Sequence, residues 1–150
     1  MTNRTYYAPQ GGLPPQTALL TDRAVFTESY SVTPKGVLRD ITVSYFPFWE
    51  KTRAWVLSRP LSGFAETFSQ YIMDVAPGGG SATPEPDGEA QGVIFVVEGA
   101  VSLTLAGKTH ELATGGYAYL PAGVTWSLRN TGAGAARFHW VRKRYEAVAG

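Results

Sequence analysis

The chain has 150 residues, 44% of them hydrophobic and 17% charged, with no cysteine and a formal charge of +1 from 13 basic and 12 acidic side chains. A chain of this size sustains one hydrophobic core that buries about 70% of the unfolded surface, and the composition excludes general disorder. Disulfide frameworks, thiolate zinc sites and thiol nucleophiles are excluded by the lack of cysteine, nucleic acid is disfavoured by the balanced charge, and no run of eighteen apolar residues is present to cross a membrane.

Residues 1–20 include YYAPQGGLPPQ, whose closely spaced Pro and Gly suit neither helix nor sheet. They read as an extended arm, and Tyr6, Tyr7 and Leu13 could dock it on a barrel face or a neighbouring subunit. The opening MTNRTYYAPQGG lacks the apolar stretch of a secretory signal. With the absence of cysteine, this sets the expectation of a soluble, cytoplasmic protein.

Over residues 21–146 short β-rich runs alternate with turn residues, and 147–150 read as a tail or the start of a linker. AVFTESYSV (24–32) is followed by the turn T-P-K-G at 33–36, then by DITVSYF (40–46) and by AWVLS (54–58) ahead of Arg59-Pro60. In FAETFSQYIMDV (64–75), Phe64, Phe68 and Ile72 recur every four residues, while Ala65, Thr67, Ser69, Tyr71, Met73 and Val75 alternate. Strand is the reading, because aromatic and β-branched residues dominate and P-G-G-G at 77–80 ends the run in a turn. Further strands follow at even intervals: VIFVVEG (93–99), SLTLAG (102–107), THEL (109–112), YAYLPAG (117–123), WSLRN (126–130) and ARFHWVRKRY (136–145). Such spacing without a helix longer than a turn or two predicts an all-β, closed or sandwiched antiparallel barrel.

Gly115, Pro121, Gly123 and Asn130 stand at the spacing G-x5-P-x-G-x2-H-x3-N, with Trp126 at the histidine position. In this the chain resembles the cupin superfamily, and the resemblance implies one domain with the cupin double-stranded β-helix, or jelly-roll, fold. The superfamily's other motif, G-x5-H-x-H-x3,4-E-x6-G, closes here on Gly99 after VIFVVEG. Counting back puts Gly92 at the glutamate position and the two histidine positions within Glu85, Pro86, Asp87 and Gly88. All four ligand positions therefore hold something else, and neither a metal nor another cofactor is expected in this domain. An indole offers no lone pair to a metal and fills the space of an ion and its water. Trp126 reads as a packing residue or as a stacking surface for a flat ligand.

TDRAVFTESYSVTPKG, LSRPLSGFAETFSQYIMDVAPGGG, FVVEG, GGYAYLPAG and RKRY follow one another in an order that resembles the N-terminal half of the bicupin (S)-ureidoglycine aminohydrolase family, over about residues 21–146. The resemblance implies tandem cupins of which the C-terminal one holds manganese and the residues that release ammonia from ureidoglycine. It implies no catalytic residue in this half, whose partner would be a second cupin domain or an identical subunit.

Other chemistry-bearing residues leave alternatives. His110 beside Glu111 and His139 between Phe138 and Trp140 could pair across the barrel, but strand neighbours point to opposite faces, and partly exposed histidines are the simpler reading. Glu85, Asp87 and Glu89 could hold calcium or supply a general base, or be a mobile, solvated loop. Arg142, Lys143 and Arg144 could bind an anion or pair with acids of a partner domain. YFPFWE (45–50), if it lies in a loop, offers Phe46, Phe48 and Trp49 to an interface. The leading function is a structural and assembly domain of an aminohydrolase-like protein of ureide breakdown. The alternatives are a metal-free module holding a small polar ligand against Trp126, Tyr119 and the acidic loop, and a metal-independent enzyme using that loop as base.

Overall fold

The computed structural model describes residues 25–26, 31–32, 44–58 and 68–147, and all regular structure among them is strand. The chain divides into two compact units, Met1–Thr42 and Val43–Gly150. In the first, β1 (Val25–Phe26) and β2 (Ser31–Val32) pair antiparallel, with Val25 opposite Val32. The single strand expected over 24–32 is thus two short pieces that pair with each other, and residues 27–30 between them lie outside the described residues. Of the strand expected over 40–46, residues 40–43 lie outside the described residues, and Ser44 makes only an isolated bridge to Ala54. Pro47 presets a turn, closed by a backbone bond from Trp49 N–H to Phe46 C=O at 3.3 Å, so YFPFWE is a loop up to Glu50.

The second unit contains β3 (Glu50–Ser58), β4 (Ser69–Ser81), β5 (Ala90–Glu98), β6 (Ala100–Leu105), β7 (Lys108–Ala113), β8 (Tyr117–Leu120), β9 (Trp126–Arg129) and β10 (Ala136–Arg144). Every pairing is antiparallel; the order is β7-β6-β9-β4-β10-β5-β8, and β3 lies against β4. β4 belongs to both halves of the barrel: Ser69–Val75 lie opposite β10, and Gly80–Ser81 pair with Arg129 and Leu128 of β9. The P-G-G-G segment expected to end this strand instead carries it onward. Gly80 adopts φ +138°, and a Cβ there would come within 2.0 Å of the Leu128 carbonyl, so the crossing from one sheet to the other depends on that missing side chain. The opposite side of the barrel is joined where Val96 exchanges backbone bonds with Gly115 and Gly116 at 2.8 and 2.9 Å.

Period-two alternation turns Met73 and Val75 of β4, Ile94 and Val96 of β5, Val101 and Leu103 of β6, Leu128 of β9 and Phe138 of β10 into one buried cluster. Asn130, the last residue of the glycine-proline motif, is buried; its side-chain amide donates to the carbonyls of Val75 and Gly134, each at 2.8 Å, and its Oδ1 accepts from Gly132 N–H at 2.9 Å. It satisfies loop backbone that water cannot reach. On the opposite face of β4, buried Asp74 is held between Arg137 at 2.8 Å and Arg53 at 3.5 Å. No helix among the described residues is long and apolar enough to cross a membrane.

Candidate functional site

β5, β9 and the loop at 85–88 carry the positions where cupin motifs place metal ligands. Trp126 opens β9 with its indole inward, only 7% exposed. Trp140 points inward from β10, and Trp49 enters from the 46–49 turn. The Trp126 and Trp140 rings meet edge to face at 5.7 Å, Trp49 lies 6.4 Å from Trp126 and 5.8 Å from Trp140, and Phe138 lies 6.2 Å from Trp49. Such geometries add to the area these rings bury. Gly92, at the missing carboxylate, faces Arg142 across the β5–β10 ladder. A Cβ there would stand 2.7 Å from the Val141 carbonyl and 3.2 Å from Trp140 Nε1, so the strand and the indole approach only because residue 92 has no side chain.

The acidic loop is pinned by the chain's own arginines. Arg142 donates to Glu85 from both Nε and Nη2, the latter at 2.7 Å, and its Nη2 lies 3.7 Å from Asp87. Arg144 donates from Nε to Asp87 at 2.7 Å and reaches Glu89 at 3.4 Å. Glu85 Oε1 accepts from Asp87 N–H at 3.0 Å, Asp87 Oδ1 accepts from Glu89 N–H at 3.1 Å, and Gly123 N–H donates to Gly88 C=O at 2.7 Å. A strand presents residues two apart to one side, and Arg142 and Arg144 match Glu85 and Asp87, also two apart. Two sequence readings are corrected here: the loop is not merely solvated, and the arginines find their acids in the same domain. The hydrogen bond from Arg144 holds the Asp87 carboxyl below its ordinary range, against a smaller opposing effect of burial. For Arg142, burial works against the charge, but the Glu85 bond and its field outweigh it and raise the guanidinium pKa.

These residues do not fit a metal ion. Trp126 has no lone pair to give, Gly92 has no side chain, and Glu85 and Asp87 are engaged by guanidinium groups. No group of three or more His, Asp or Glu side chains is gathered among the described residues. His110 is exposed on β7 opposite Leu103. His139 faces away from Phe138 and Trp140; it is half-buried, which lowers its pKa, and its Nδ1 is without a hydrogen-bond partner among the described residues.

Tyr119 does not converge on Trp126. It sits opposite Val93, on the outer face of β8, while its neighbour Ala118 packs against the core; its hydroxyl donates to Gln91 Oε1 at 2.6 Å. The interface reading of 45–50 is also corrected in part. Phe46 stacks edge-on against Tyr71 at 4.8 Å and Trp49 joins the core, leaving Tyr45 and Phe48 as the outward rings, 75% and 63% exposed. What the fold builds instead is a cleft of about 160 Å³ walled by Phe46, Phe48, Trp49, Tyr71 and Trp140, with Glu85 and Arg142 in its lining. Sequence reasoning missed Tyr71 and Trp140. The signal available was alternation, since Trp140 shares the inward face of Phe138.

An antiparallel jelly-roll barrel with turn glycines and a buried Asn130 at the motif spacing defines a double-stranded β-helix protein. Residues 71–142 match the model of the Cupin domain and form a cupin domain. Over 134 residues it is 28% identical to (S)-ureidoglycine aminohydrolase of Escherichia coli strain K12, covering 88% of this chain and 49% of that protein. Among solved structures it is 55% identical to a glyoxylate-induced protein of Pseudomonas aeruginosa, with a TM-score of 0.76 over 99% of this chain and 53% of that one. It is 26% identical to the protein Ylba of E. coli, with a TM-score of 0.71 over 91% of this chain and 55% of that one. The chain thus spans about half the length of these relatives, and its resemblance is to cupins of the ureidoglycine aminohydrolase type.

Proposed function

We propose that this barrel is a metal-free cupin with a structural and assembly role in a ureidoglycine aminohydrolase-like protein of ureide catabolism. The observation that supports it is the filling of the ligand positions: the indoles of Trp126 and Trp140 occupy the barrel centre, and Gly92 leaves no room for a carboxylate. A fold does not itself confer chemistry, so the lost donors weigh more than the relatives' names. In this reading manganese and ammonia release belong to another cupin, either a second domain or another subunit, and the protein is cytoplasmic and oligomeric.

Purified protein should contain substoichiometric manganese, iron and zinc by elemental analysis. It should release no ammonia from (S)-ureidoglycine with or without added manganese. Stoichiometric metal, or turnover abolished by a chelator, would refute the proposal. The assembly role predicts a stable complex with a metal-bearing cupin of the same type in analytical ultracentrifugation, and two independent species at all concentrations would remove it.

A further inference from the structure

We infer that the aromatic cleft beside the filled barrel centre binds a small, uncharged, single-ring aromatic ligand such as benzamide. This goes beyond the proposed function and does not depend on it, because Trp126 lies behind Trp49 and Trp140 and does not line the cleft.

Size comes first. A cleft of about 160 Å³ is well below the 300 Å³ or more of drug-sized sites. It matches the scale at which an apolar cavity of about 150 Å³ takes up one benzene ring. Shape agrees with this. The rings come from three separate places in the chain, the 46–49 turn, β4 and β10, and they meet at 4.8 Å for Phe46 and Tyr71, 5.5 Å for Tyr71 and Trp140, and 5.8 Å for Trp49 and Trp140. Flat faces at several inclinations favour a flat guest over a chain. Phe48 stands at the turn tip with φ +66°, a left-handed conformation uncommon for a bulky side chain, and its exposed ring forms part of the wall.

Charge decides the class. Glu85 and Arg142 are the charged groups lining the cleft, and they close on each other through two hydrogen bonds, with side-chain exposures of only 9% and 25%. A ligand carboxylate gains Arg142 only by displacing Glu85, and a ligand cation meets a guanidinium that already lies 5.9 Å over the Trp140 ring. A neutral ring meets neither penalty.

Three probes of one shape test this: benzamide, benzoate and benzamidine, which are neutral, anionic and cationic at pH 7. Each is titrated into the full chain while tryptophan fluorescence is followed, with saturation-transfer NMR as a second readout. Benzamide should bind saturably and about tenfold or more tighter than either charged analogue, a difference of about 1.4 kcal/mol. Phe48→Ala should weaken benzamide by about tenfold with an unchanged thermal midpoint, since the ring it removes is exposed. Tighter benzoate would make Arg142 an anion site and overturn the inference, as tighter benzamidine would through Glu85. A saturable response untouched by Phe48→Ala would place the binding elsewhere, and no saturation with benzamide would leave the cleft without a ligand of this class.

Discussion

Trp126→His puts back the residue type of the cupin motif and is the most direct challenge to the filled-centre reading. The indole is 7% exposed and packs against two other indoles, Trp49 at 6.4 Å and Trp140 at 5.7 Å. Removing a buried tryptophan to alanine costs about 3–5 kcal/mol. Imidazole restores part of the volume, but it forfeits aromatic contacts of about 0.5–1.5 kcal/mol each and brings a ring nitrogen into an apolar enclosure, at about 1–3 kcal/mol if unpaired. These effects put the loss near 3–5 kcal/mol, or about 10 °C or more in thermal midpoint for a chain of this length. Urea unfolding followed by circular dichroism should show the midpoint falling with its slope unchanged. Manganese, added in excess, should not recover the loss, because Gly92 and the arginine-bound Glu85 and Asp87 supply no further ligands. A loss below about 1 kcal/mol, or recovery by manganese, would refute the argument that packing replaced coordination here.

Gly92→Ala should cost about 1–3 kcal/mol, because its Cβ falls 2.7 Å from the Val141 carbonyl and β10 must move; an unshifted urea midpoint would show that the strands have slack. Glu85→Gln should cost about 1–3 kcal/mol by leaving the half-buried Arg142 with only Asp87, 3.7 Å away, as counter-ion, discounted from the figure for fully buried pairs because Arg142 is 25% exposed. Glu89→Gln, at a carboxylate 79% exposed, should stay within about 0.5 kcal/mol, and equal losses for the two would undo the assignment of Glu85 as the anchor. Among the described residues, two groups with lowered pKa contribute to the acid side of the stability profile. Asp87 has a lowered folded pKa, so its contribution is present above the unfolded carboxylate value near 3.9 and is lost as pH falls through the folded pKa. His139, lowered by burial, takes up a proton more readily unfolded, so stability falls as pH drops below about 6.5, and His139→Leu should flatten that part of a denaturation-against-pH curve. Carbon-detected NMR titration of Asp87 in Arg144→Gln should show its pKa rising toward the ordinary value; no movement would mean that the Arg144 bond is not its cause.

The strands of the second half were legible because their signals are local. Alternation in VIFVVEG and ARFHWVRKRY, and the turn residues between them, place β5 and β10 within three residues of their observed limits. The spacing Gly115, Pro121, Gly123, Asn130 and the missing donors at Gly92 and Trp126 were legible too, since they are matters of residue identity along the chain. The tertiary structure alone decided which distant residues meet. Glu85 and Arg142 are 57 positions apart, and their contact follows from a β5–β10 register that no local pattern encodes. The β5–β8 pairing sends Tyr119 outward while Trp140 of β10 and Trp126 of β9 turn inward, which separates residues that looked like one binding set. The glycines at 78–80 read as a turn because glycine is permissive, and only the approach of β9 made them part of a strand. Local chemistry thus set the elements and the residue types at the motif positions, while closure of the barrel, which fixes each strand's neighbours and facing side, decided which of those residues meet.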